Sequence, residues 1–245
     1  MSGLTQQVHT RIVRADGREE AGTCTVLRER ELLVVTPGTQ LGLLTCTDTD
    51  LERLVLGWLY TQRILNAPSE LLNLDLRDEF AVVKLDGPLR PPAERRKLRR
   101  LTHCPHWTSE DVFALAARFR EGMPLHRATG ATHSCLLMRE GEILYTSEDV
   151  GRFNAVDKAV GFALEQGIPL RECLIYSSGR VSEELVCKMA AAEVAVLISK
   201  AIPTAQAVER AQALGVTLIC RAWEDSFTQY TFPTAPAGES EAFEC

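Results

Sequence analysis

Hydrophobic positions in the second half of the chain alternate between the spacing of strands and the spacing of helices. Short apolar runs of strand length are separated by segments in which apolar residues recur every three or four positions. The runs predict strands at 134–138, 143–146, 173–176, 194–199 and 216–220. The intervening segments predict helices at 154–164, 182–192 and 204–214, and Thr108 with Asp111 predicts the capped start of an earlier helix. This α-ββ-α-β-α-β-α-β order predicts a three-layer α/β sandwich over residues 108–232.

The first 86 residues show a mixed pattern with one clear helix. Apolar residues at 51, 54, 55, 58 and 59 share one helical face, which predicts a helix that buries that face. Thr47 and Asp50 resemble a capping box at its start. Strands are predicted at 32–35 and 80–85, each beside a Pro-Gly or Gly-Pro pair. We therefore expect a smaller N-terminal α+β subdomain over residues 1–86.

Residues 87–107 break the regular pattern and predict a linker. Gly-Pro and Pro-Pro pairs open this segment, and cations follow at 95, 96, 97, 99 and 100. A short loop with His103, Cys104 and His106 ends it. At the other end of the chain, residues 233–245 are acidic and rich in small residues, which predicts a disordered tail.

Composition narrows the class of protein. The chain has 245 residues and a net charge of −6, which argues against a general nucleic-acid binder. Its eight cysteines are scattered without any CxxC pair, so they do not indicate a disulfide framework. No signal peptide is evident, and no apolar run approaches the ~20 residues that span a bilayer. We expect a cytoplasmic protein, not bound to membranes, whose cysteines are reduced and mostly packed in the core.

Polar loops follow two of the predicted strands where each enters a helix. Ligands of open α/β sheets bind beyond the carboxyl ends of the strands. There, a helix N-terminus with hydroxyls, a glycine and a cation suits a phosphate or another anion. Such loops occur at 177–182 and 199–204, and a third charged stretch lies at 148–158. Ordinary helix capping and a solvated surface explain the same residues, so both interpretations stay open.

Several of these loops resemble the motifs of a known family. Thr-Gly-Ala-Thr-His-Ser at 129–134, Glu-Asp-Val-Gly-Arg at 148–152, Asn-Ala-Val-Asp-Lys at 154–158 and Ser-Gly-Arg-Val-Ser at 178–182 occur in order. They resemble motifs of the formate dehydrogenase accessory sulfurtransferases, FdhD. The resemblance implies a cytidine-deaminase-like C-terminal domain. It also implies a cytoplasmic homodimer that passes persulfide sulfur from a cysteine desulfurase to the molybdenum cofactor needed by formate dehydrogenase.

The resemblance also implies which residues act. Cys104 matches the cysteine that carries the persulfide, and the cargo is molybdenum bis-molybdopterin guanine dinucleotide, with a guanine nucleotide as a partial mimic. The residues expected to hold this cargo are His133, Asp149, Arg152, Asn154, Asp157, Lys158, Ser178, Gly179, Arg180, Lys200, Arg221, Ala222, Trp223, Glu224, Asp225 and Ser226. Nearby histidines and the basic run supply positive charge, which favours a thiolate at Cys104.

Two departures from the family pattern leave a second function open. The family carries a CxxC-type loop, but Trp107 stands at the position of its second cysteine. Its cofactor segment has an aromatic–x₄–Arg pattern, whereas Arg221 and Ser226 stand at those positions here. The alternative function is a non-catalytic chaperone or regulator that binds the cofactor without transferring sulfur. The His-x-Glu and Pro-Cys-x-x-Cys motifs of zinc deaminases do not occur, so no metal site is predicted.

Overall fold

The N-terminus forms a two-stranded hairpin that the apolar pattern did not predict. The computed structural model describes residues 3–232 and 242–243. Strands β1 (Thr5–Val13) and β2 (Glu19–Leu27) pair antiparallel in a sheet of their own, and most of their residues are exposed. Without a face buried in a core, the hairpin lacks the hydrophobic alternation by which a strand is recognised in a sequence.

The rest of the first 86 residues forms a four-stranded sheet covered by one helix. The strands are β3 (Arg30–Thr36), β4 (Thr39–Cys46), β5 (Leu71–Leu76) and β6 (Phe80–Leu85), in the order β4-β3-β6-β5. Helix α1 (Leu51–Thr61) packs its predicted apolar face on this sheet. The predictions of α1, β3 and β6 are confirmed, whereas β4 and β5 were missed.

The predicted capping box at the start of α1 is wrong. Asp50 is the N-cap residue in a left-handed conformation, with φ of 49°, and no side chain caps the helix. Thr47 instead bonds to the second half of the chain. Its N–H donates to Asp149 Oδ2 at 3.1 Å, and its Oγ1 accepts a bond from the Val150 N–H at 3.0 Å. A tertiary partner therefore replaces the local one.

The second half of the chain alternates helices and strands as predicted, with an additional short helix at 124–129 and a short strand at 228–229. The elements are α2 (Ser109–Arg120), α3 (Pro124–Thr129), β8 (His133–Arg139), β9 (Glu142–Asp149), α4 (Arg152–Glu165), β10 (Cys173–Ser177), α5 (Glu183–Ala191), β11 (Val196–Ser199), α6 (Ala205–Leu214), β12 (Thr217–Cys220) and β13 (Thr228–Gln229). Strand β7 (Leu98–Arg99) precedes them in the linker and pairs with β14 (Ala242–Phe243). The capping box of Thr108 and Asp111 at α2 is present.

Six strands form the central sheet in the order β13-β12-β11-β10-β8-β9. Strands β10, β11 and β12 are parallel, and β8 runs antiparallel to β10. Helices α4, α5 and α6 pack on one face of the sheet and α2 packs on the other, each over a separate hydrophobic core. The prediction of a three-layer α/β sandwich is confirmed.

Helices α1 and α4 join the two parts of the chain by a close crossing at two glycines. A Cβ atom on Gly57 would lie 1.8 Å from the backbone oxygen of Asp157. A Cβ atom on Gly161 would lie 1.9 Å from the backbone oxygen of Arg53. Only glycine allows the two backbones to approach this closely, so the N-terminal subdomain is seated directly on α4.

Arginines of the linker cap the carboxyl ends of three helices. Arg95 donates to the Gln62 carbonyl after α1, Arg96 to the Ala191 carbonyl at the end of α5, and Arg100 to the Gln212 carbonyl near the end of α6. Positive charge at these ends also offsets the helix dipoles. The basic run thus fastens the linker to both parts of the molecule.

Two further observations complete the fold. The predicted disordered tail, residues 233–245, lies outside the described residues except for the two residues of β14. Within the described part of the chain, no helix has both the length and the apolar character needed to cross a bilayer.

Candidate functional site

The predicted ligand loops meet at one edge of the central sheet, which we call the carboxyl edge. It is formed where β10, β11 and β12 end, at Ser177, Ser199 and Cys220. Because β8 runs antiparallel to β10, His133 at the start of β8 lies at this edge too. Asp149 pairs with His133 at the end of β9. The fold thus brings the 177–182, 199–204 and 220–226 segments beside the 148–158 segment.

The loop after β10 is held rigidly by its neighbours. Ser178 Oγ accepts a hydrogen bond from the Ser134 N–H at 3.0 Å and lies 3.1 Å from His133 Nδ1. Ser199 Oγ donates to the Gly179 carbonyl at 2.8 Å. A Cβ atom at Gly179 would lie 3.0 Å from the Cβ atom of Arg152, so glycine permits the arginine to pack over this loop.

Cations and unpartnered polar atoms give the carboxyl edge the character of an anion site. Arg152 lies 4.3 Å from the Phe153 ring centre, and its Nε is buried without a hydrogen-bond partner. Ser182 Oγ, at the N-cap of α5, is likewise buried without a partner. Lys200 Nζ lies 5.3 Å from the ring centre of Phe119 and 5.4 Å from that of Trp223. Such donors suit an anion.

The imidazole of His133 is expected to be neutral near pH 7. Burial, followed by the positive charge of Arg152, lowers the pKa of His133 below its usual value. A neutral imidazole accepts a hydrogen bond at one ring nitrogen and donates one from the other. His133 can therefore hydrogen-bond to Ser178 and still offer a polar group to a ligand.

The 220–226 segment mixes exposed and structural residues. Arg221 and Trp223 are exposed, and the Arg221 N–H donates to the Ala201 carbonyl at 3.1 Å. Ala222 is buried, and its carbonyl accepts a bond from the Tyr176 hydroxyl at 3.0 Å. Glu224 forms an ion pair with Arg120 of α2. This pair offsets one of the two carboxylates that would repel an anion.

Asp225, Ser226 and Arg180 are exposed at the same edge. Ser226 Oγ donates to Asp225 Oδ1 at 3.0 Å, so the hydroxyl partly satisfies the remaining carboxylate. Arg180 follows Gly179 directly and is exposed to solvent. These three residues stay candidates for contact with a ligand.

Four of the predicted cargo-binding residues are instead buried between the two parts of the molecule. Asp149, Asp157 and Lys158 have no exposed surface, and Asn154 is 8% exposed. Lys158 Nζ lies 2.7 Å from Asp149 Oδ2, and Asn154 Nδ2 donates to Asp149 Oδ1 at 2.9 Å. Asp149 and Lys158 thus neutralise each other, and Asn154 bonds to Asp149, so in this structure these residues help to position the carboxyl edge.

A second buried ion pair uses a lysine that the sequence did not single out. Lys188 Nζ lies 2.8 Å from Asp157 Oδ2 and 3.0 Å from Thr61 Oγ1. The Thr61 hydroxyl in turn donates to Asp157 Oδ1 at 2.7 Å. This group links α1, α4 and α5. In the sequence, Lys188 lies between the apolar residues Cys187 and Met189 of the predicted helix. A single lysine in such a run is the one feature of the sequence that could have indicated a buried charge.

Cys104 lies at the opposite edge of the sheet. It is exposed, and its Sγ is 3.8 Å from Oγ1 of Thr217, the first residue of β12. A cavity of about 90 Å³ adjoins it. The loop is anchored on one side by the Leu101 N–H, which donates to the Leu214 carbonyl at 2.8 Å. The predicted carrier and the predicted cargo loops are therefore not brought together within one chain.

The other cysteines differ from Cys104 in burial and ionisation. Burial raises the pKa of Cys46 and of Cys220 to about 12 and that of Cys173 to about 11, and it raises the pKa of Cys135 as well. Cys187 is disulfide-bonded, so the expectation of a reduced thiol is wrong there. Among the described residues, the exposed free thiols are Cys24 and Cys104. Of these, only Cys104 belongs to the basic linker.

The fold and the site define a class of α/β protein. An exposed thiol lies in a loop at one edge of the central sheet, and the carboxyl edge opposite has donors that suit an anion. The sequence profile of the FdhD/NarQ family matches residues 93–235, and the chain belongs to this family. It is 28% identical over 235 residues to the sulfur carrier protein FdhD of Staphylococcus haemolyticus, covering 86% of this chain and 89% of that one.

A second relative agrees with this assignment, and a solved structure shares the fold. The sulfur carrier protein FdhD of Bacillus subtilis is 28% identical over 250 residues, covering 90% of this chain and 95% of that one. A crystal structure of a formate dehydrogenase accessory protein from Desulfotalea psychrophila superimposes with a TM-score of 0.80 at 20% identity. The superposition covers 94% of this chain and 98% of that one, and it shows the same fold.

Proposed function

We propose that this protein is a sulfur carrier and that Cys104 carries the sulfur as a persulfide. The observation that supports this most directly is the exposed free thiol of Cys104 inside the segment that matches the family. Cys24, the other exposed free thiol of the described residues, lies in the β1–β2 hairpin outside that segment. The buried thiols have raised pKa values and stay protonated at neutral pH, so they are poor nucleophiles.

The proposed chemistry needs no oxidant. The Cys104 thiolate attacks the outer sulfur of a persulfide on a donor, for which a cysteine desulfurase is the expected source. A new S–S bond forms at Cys104, the S–S bond of the donor breaks, and the donor cysteine leaves as a thiolate. One thiolate is consumed and one is released, so the exchange is balanced and needs only one cysteine on this chain. The absence of a second cysteine at Trp107 therefore does not prevent it.

The proposed cargo is the molybdenum cofactor in its bis-molybdopterin guanine dinucleotide form, on its way to formate dehydrogenase. Its phosphates carry negative charge, which Arg152, Lys200 and Arg221 complement at the carboxyl edge. The unpartnered Nε of Arg152 and Oγ of Ser182 supply hydrogen-bond capacity there. The proposal includes a homodimer in the cytoplasm, as the family resemblance implies.

The persulfide is tested by mass spectrometry. The protein is incubated with a cysteine desulfurase and cysteine, and the intact mass is measured without a reducing agent. We expect an added mass of about 32 Da, the mass of one sulfur atom, on the wild type and on Cys24→Ala but not on Cys104→Ala. An adduct that persists in Cys104→Ala would contradict the proposal.

Binding of GDP tests the cargo site separately. We expect Arg152→Ala to weaken GDP binding, while Lys84→Ala, an exposed lysine on β6, leaves it unchanged. Equal affinity for all three proteins would count against the carboxyl edge as the binding site. If GDP binds but no persulfide forms on Cys104, the non-catalytic cofactor-binding chaperone is the better description.

A further inference from the structure

The four-stranded sheet of the N-terminal subdomain has a second face, opposite α1, and we call it the outer face. Side chains of a strand alternate between the two faces of its sheet. On β3 and β6, alternate residues belong to the core under α1, and the residues between them lie on the outer face. The centre of the outer face consists of five apolar residues: Leu33 and Val35 of β3, Leu43 of β4, and Phe80 and Val82 of β6. A solvated sheet face usually carries polar residues there.

The strand register places these five side chains next to one another. Leu33 pairs with Leu43 on β4 and with Phe80 on β6, so the three form one row across the sheet. Val35 pairs with Val82 and forms the next row. Leu43 is 54% and Phe80 is 40% exposed, and within the described part of the chain none of the five belongs to a hydrophobic core cluster. Contiguous exposed apolar side chains are typical of a surface that packs on another molecule.

Two unpaired charges of opposite sign flank the apolar rows on the outer face. Glu31 precedes the rows on β3 and Lys84 follows them on β6. Because β3 and β6 are parallel, the carboxylate lies at one end of the rows and the amine at the other. Both residues are exposed, and neither has a hydrogen bond or an ion pair with any residue that the structure describes. The carboxylate of Asp75, beside Val82, is already paired with Arg77 at 2.8 Å.

We propose that the outer face packs against the outer face of a second copy of this chain. In a two-fold dimer the same patch lies on both sides of the interface, so each contact occurs twice. A two-fold axis in the plane of the interface, perpendicular to the line from Glu31 to Lys84 at its midpoint, stacks the apolar rows on each other. It also brings Glu31 of each copy onto Lys84 of the partner subunit. The charge pattern therefore favours a second copy, because the patch is its own complement.

This dimer leaves the sites of the proposed function uncovered. The outer face lies on the far side of the sheet from α1, and α1 crosses α4 of the second part of the molecule, where Gly57 approaches the Asp157 carbonyl. The carboxyl edge and the Cys104 loop both belong to that second part. The proposal rests on the homodimer included in the proposed function, since it names the surface through which the two copies meet.

The oligomeric state of the full-length protein tests the proposal. Sedimentation velocity is measured over a range of concentrations, with a reducing agent present to prevent dimers linked through exposed thiols. Phe80→Glu and Leu43→Glu each place a charge in the apolar row. The matched control is Val13→Glu, which changes an apolar residue of the β1–β2 hairpin that is 59% exposed. Circular dichroism checks that each variant is folded.

Charge exchange tests the orientation of the two copies and does not disturb the apolar rows. The variants are Glu31→Lys, Lys84→Glu and the combination of both, measured at low salt, where screening is weakest. Each single reversal places like charges opposite each other at both ends of the interface. The combined variant restores opposite charges with their signs exchanged, so a contact between these two positions predicts rescue.

We expect the wild type and Val13→Glu to be dimers, and Phe80→Glu and Leu43→Glu to have a dissociation constant at least about tenfold higher. Each single charge reversal should raise the dissociation constant about tenfold, and the combined variant should return to within about threefold of the wild type. A monomeric wild type overturns the proposal, and so does a dimer that the variants of the outer face leave intact. A combined variant that is weaker than either single variant also overturns it. The persulfide test on Cys104 does not use oligomeric state as its readout, so it shows separately whether the sulfur-carrier proposal fails.

Discussion

Substituting methionine for Lys158 tests whether the charges of the 148–158 segment serve the fold or a ligand. Lys158 Nζ pairs with Asp149 at 2.7 Å and donates to Thr49 Oγ1 at 3.0 Å and to the Glu148 carbonyl at 3.1 Å. Methionine fills most of the same volume but cannot form these bonds. The substitution therefore removes the charge and its hydrogen bonds with little change in packing.

The expected cost is large because Asp149 would remain buried without an opposite charge. Its carboxylate keeps three N–H donors, from Thr47 at 3.1 Å, Gly151 at 2.8 Å and Asn154 at 2.9 Å, which help to hold the charge. Breaking a buried ion pair by removing one partner costs about 3–5 kcal/mol. We expect the free energy of unfolding to fall by about that amount, a large share of the ~5–15 kcal/mol typical of a folded domain.

Urea denaturation followed by circular dichroism measures the change. The matched control is Lys200→Met at the carboxyl edge, whose amine lies near two aromatic rings and forms no ion pair with the residues that the structure describes. We expect this control to lose less than about 1 kcal/mol of stability but to weaken GDP binding. The reasoning is refuted if Lys158→Met is as stable as the wild type and has lost GDP binding, because Lys158 would then be a ligand contact.

Two further predictions concern the N-terminal subdomain. Gly57→Ala places a Cβ atom 1.8 Å from the Asp157 carbonyl oxygen, so we expect the free energy of unfolding to fall by more than about 3 kcal/mol, or the protein not to fold. A Cβ atom on Gly3 would have nothing within 4 Å, so we expect Gly3→Ala to leave the stability measured by urea denaturation unchanged. The Arg90 guanidinium lowers the pKa of Glu70 from 4.5 to about 2, so this pair stabilises the fold above pH 4.5 and is lost as the pH falls toward 2. Because the pair is partly exposed, we expect Glu70→Gln to lower the free energy of unfolding by only about 1 kcal/mol at pH 7 and not at all near pH 2. An equal loss of stability at both pH values would contradict this.

The α/β sandwich was predictable because its central strands are buried on both faces and its helices are buried mainly on the face that packs on the sheet. Short continuous apolar runs and apolar residues at helical spacing follow from that burial. They identified the elements from α2 to β12, except the short helix α3. The β1–β2 hairpin buries neither face in a core, so it left no such pattern. The capping box at α1 failed for a different reason. Thr47 bonds to Asp149, which is 102 residues away in the sequence, and the pattern of neighbouring residues gives no sign of that contact.

The same limit explains the charged residues that were assigned to a ligand. In the sequence, Asp149 and Lys158 look like the charges of a binding loop, because nothing local shows what each one faces. The structure shows that they face each other and Thr47, with no exposed surface. Burial of a charge depends on the packing of α1 against α4, which is a property of the whole fold. By contrast, the position of Ser178 and Gly179 at the carboxyl edge was predictable, since they follow the buried strand β10 directly.

The distance between Cys104 and the carboxyl edge constrains how the proposed cargo could be held. Thr217, beside Cys104, is the first residue of β12, and Arg221 follows its last residue. Three strand steps of ~3.3 Å separate the two ends by about 10 Å before any loop is counted. A sulfur acceptor held at the carboxyl edge itself therefore cannot be reached by Cys104 of the same chain in this conformation. The proposed cargo, if it were anchored there by its phosphates, would have to extend past the sheet or meet a thiol from another copy of the chain.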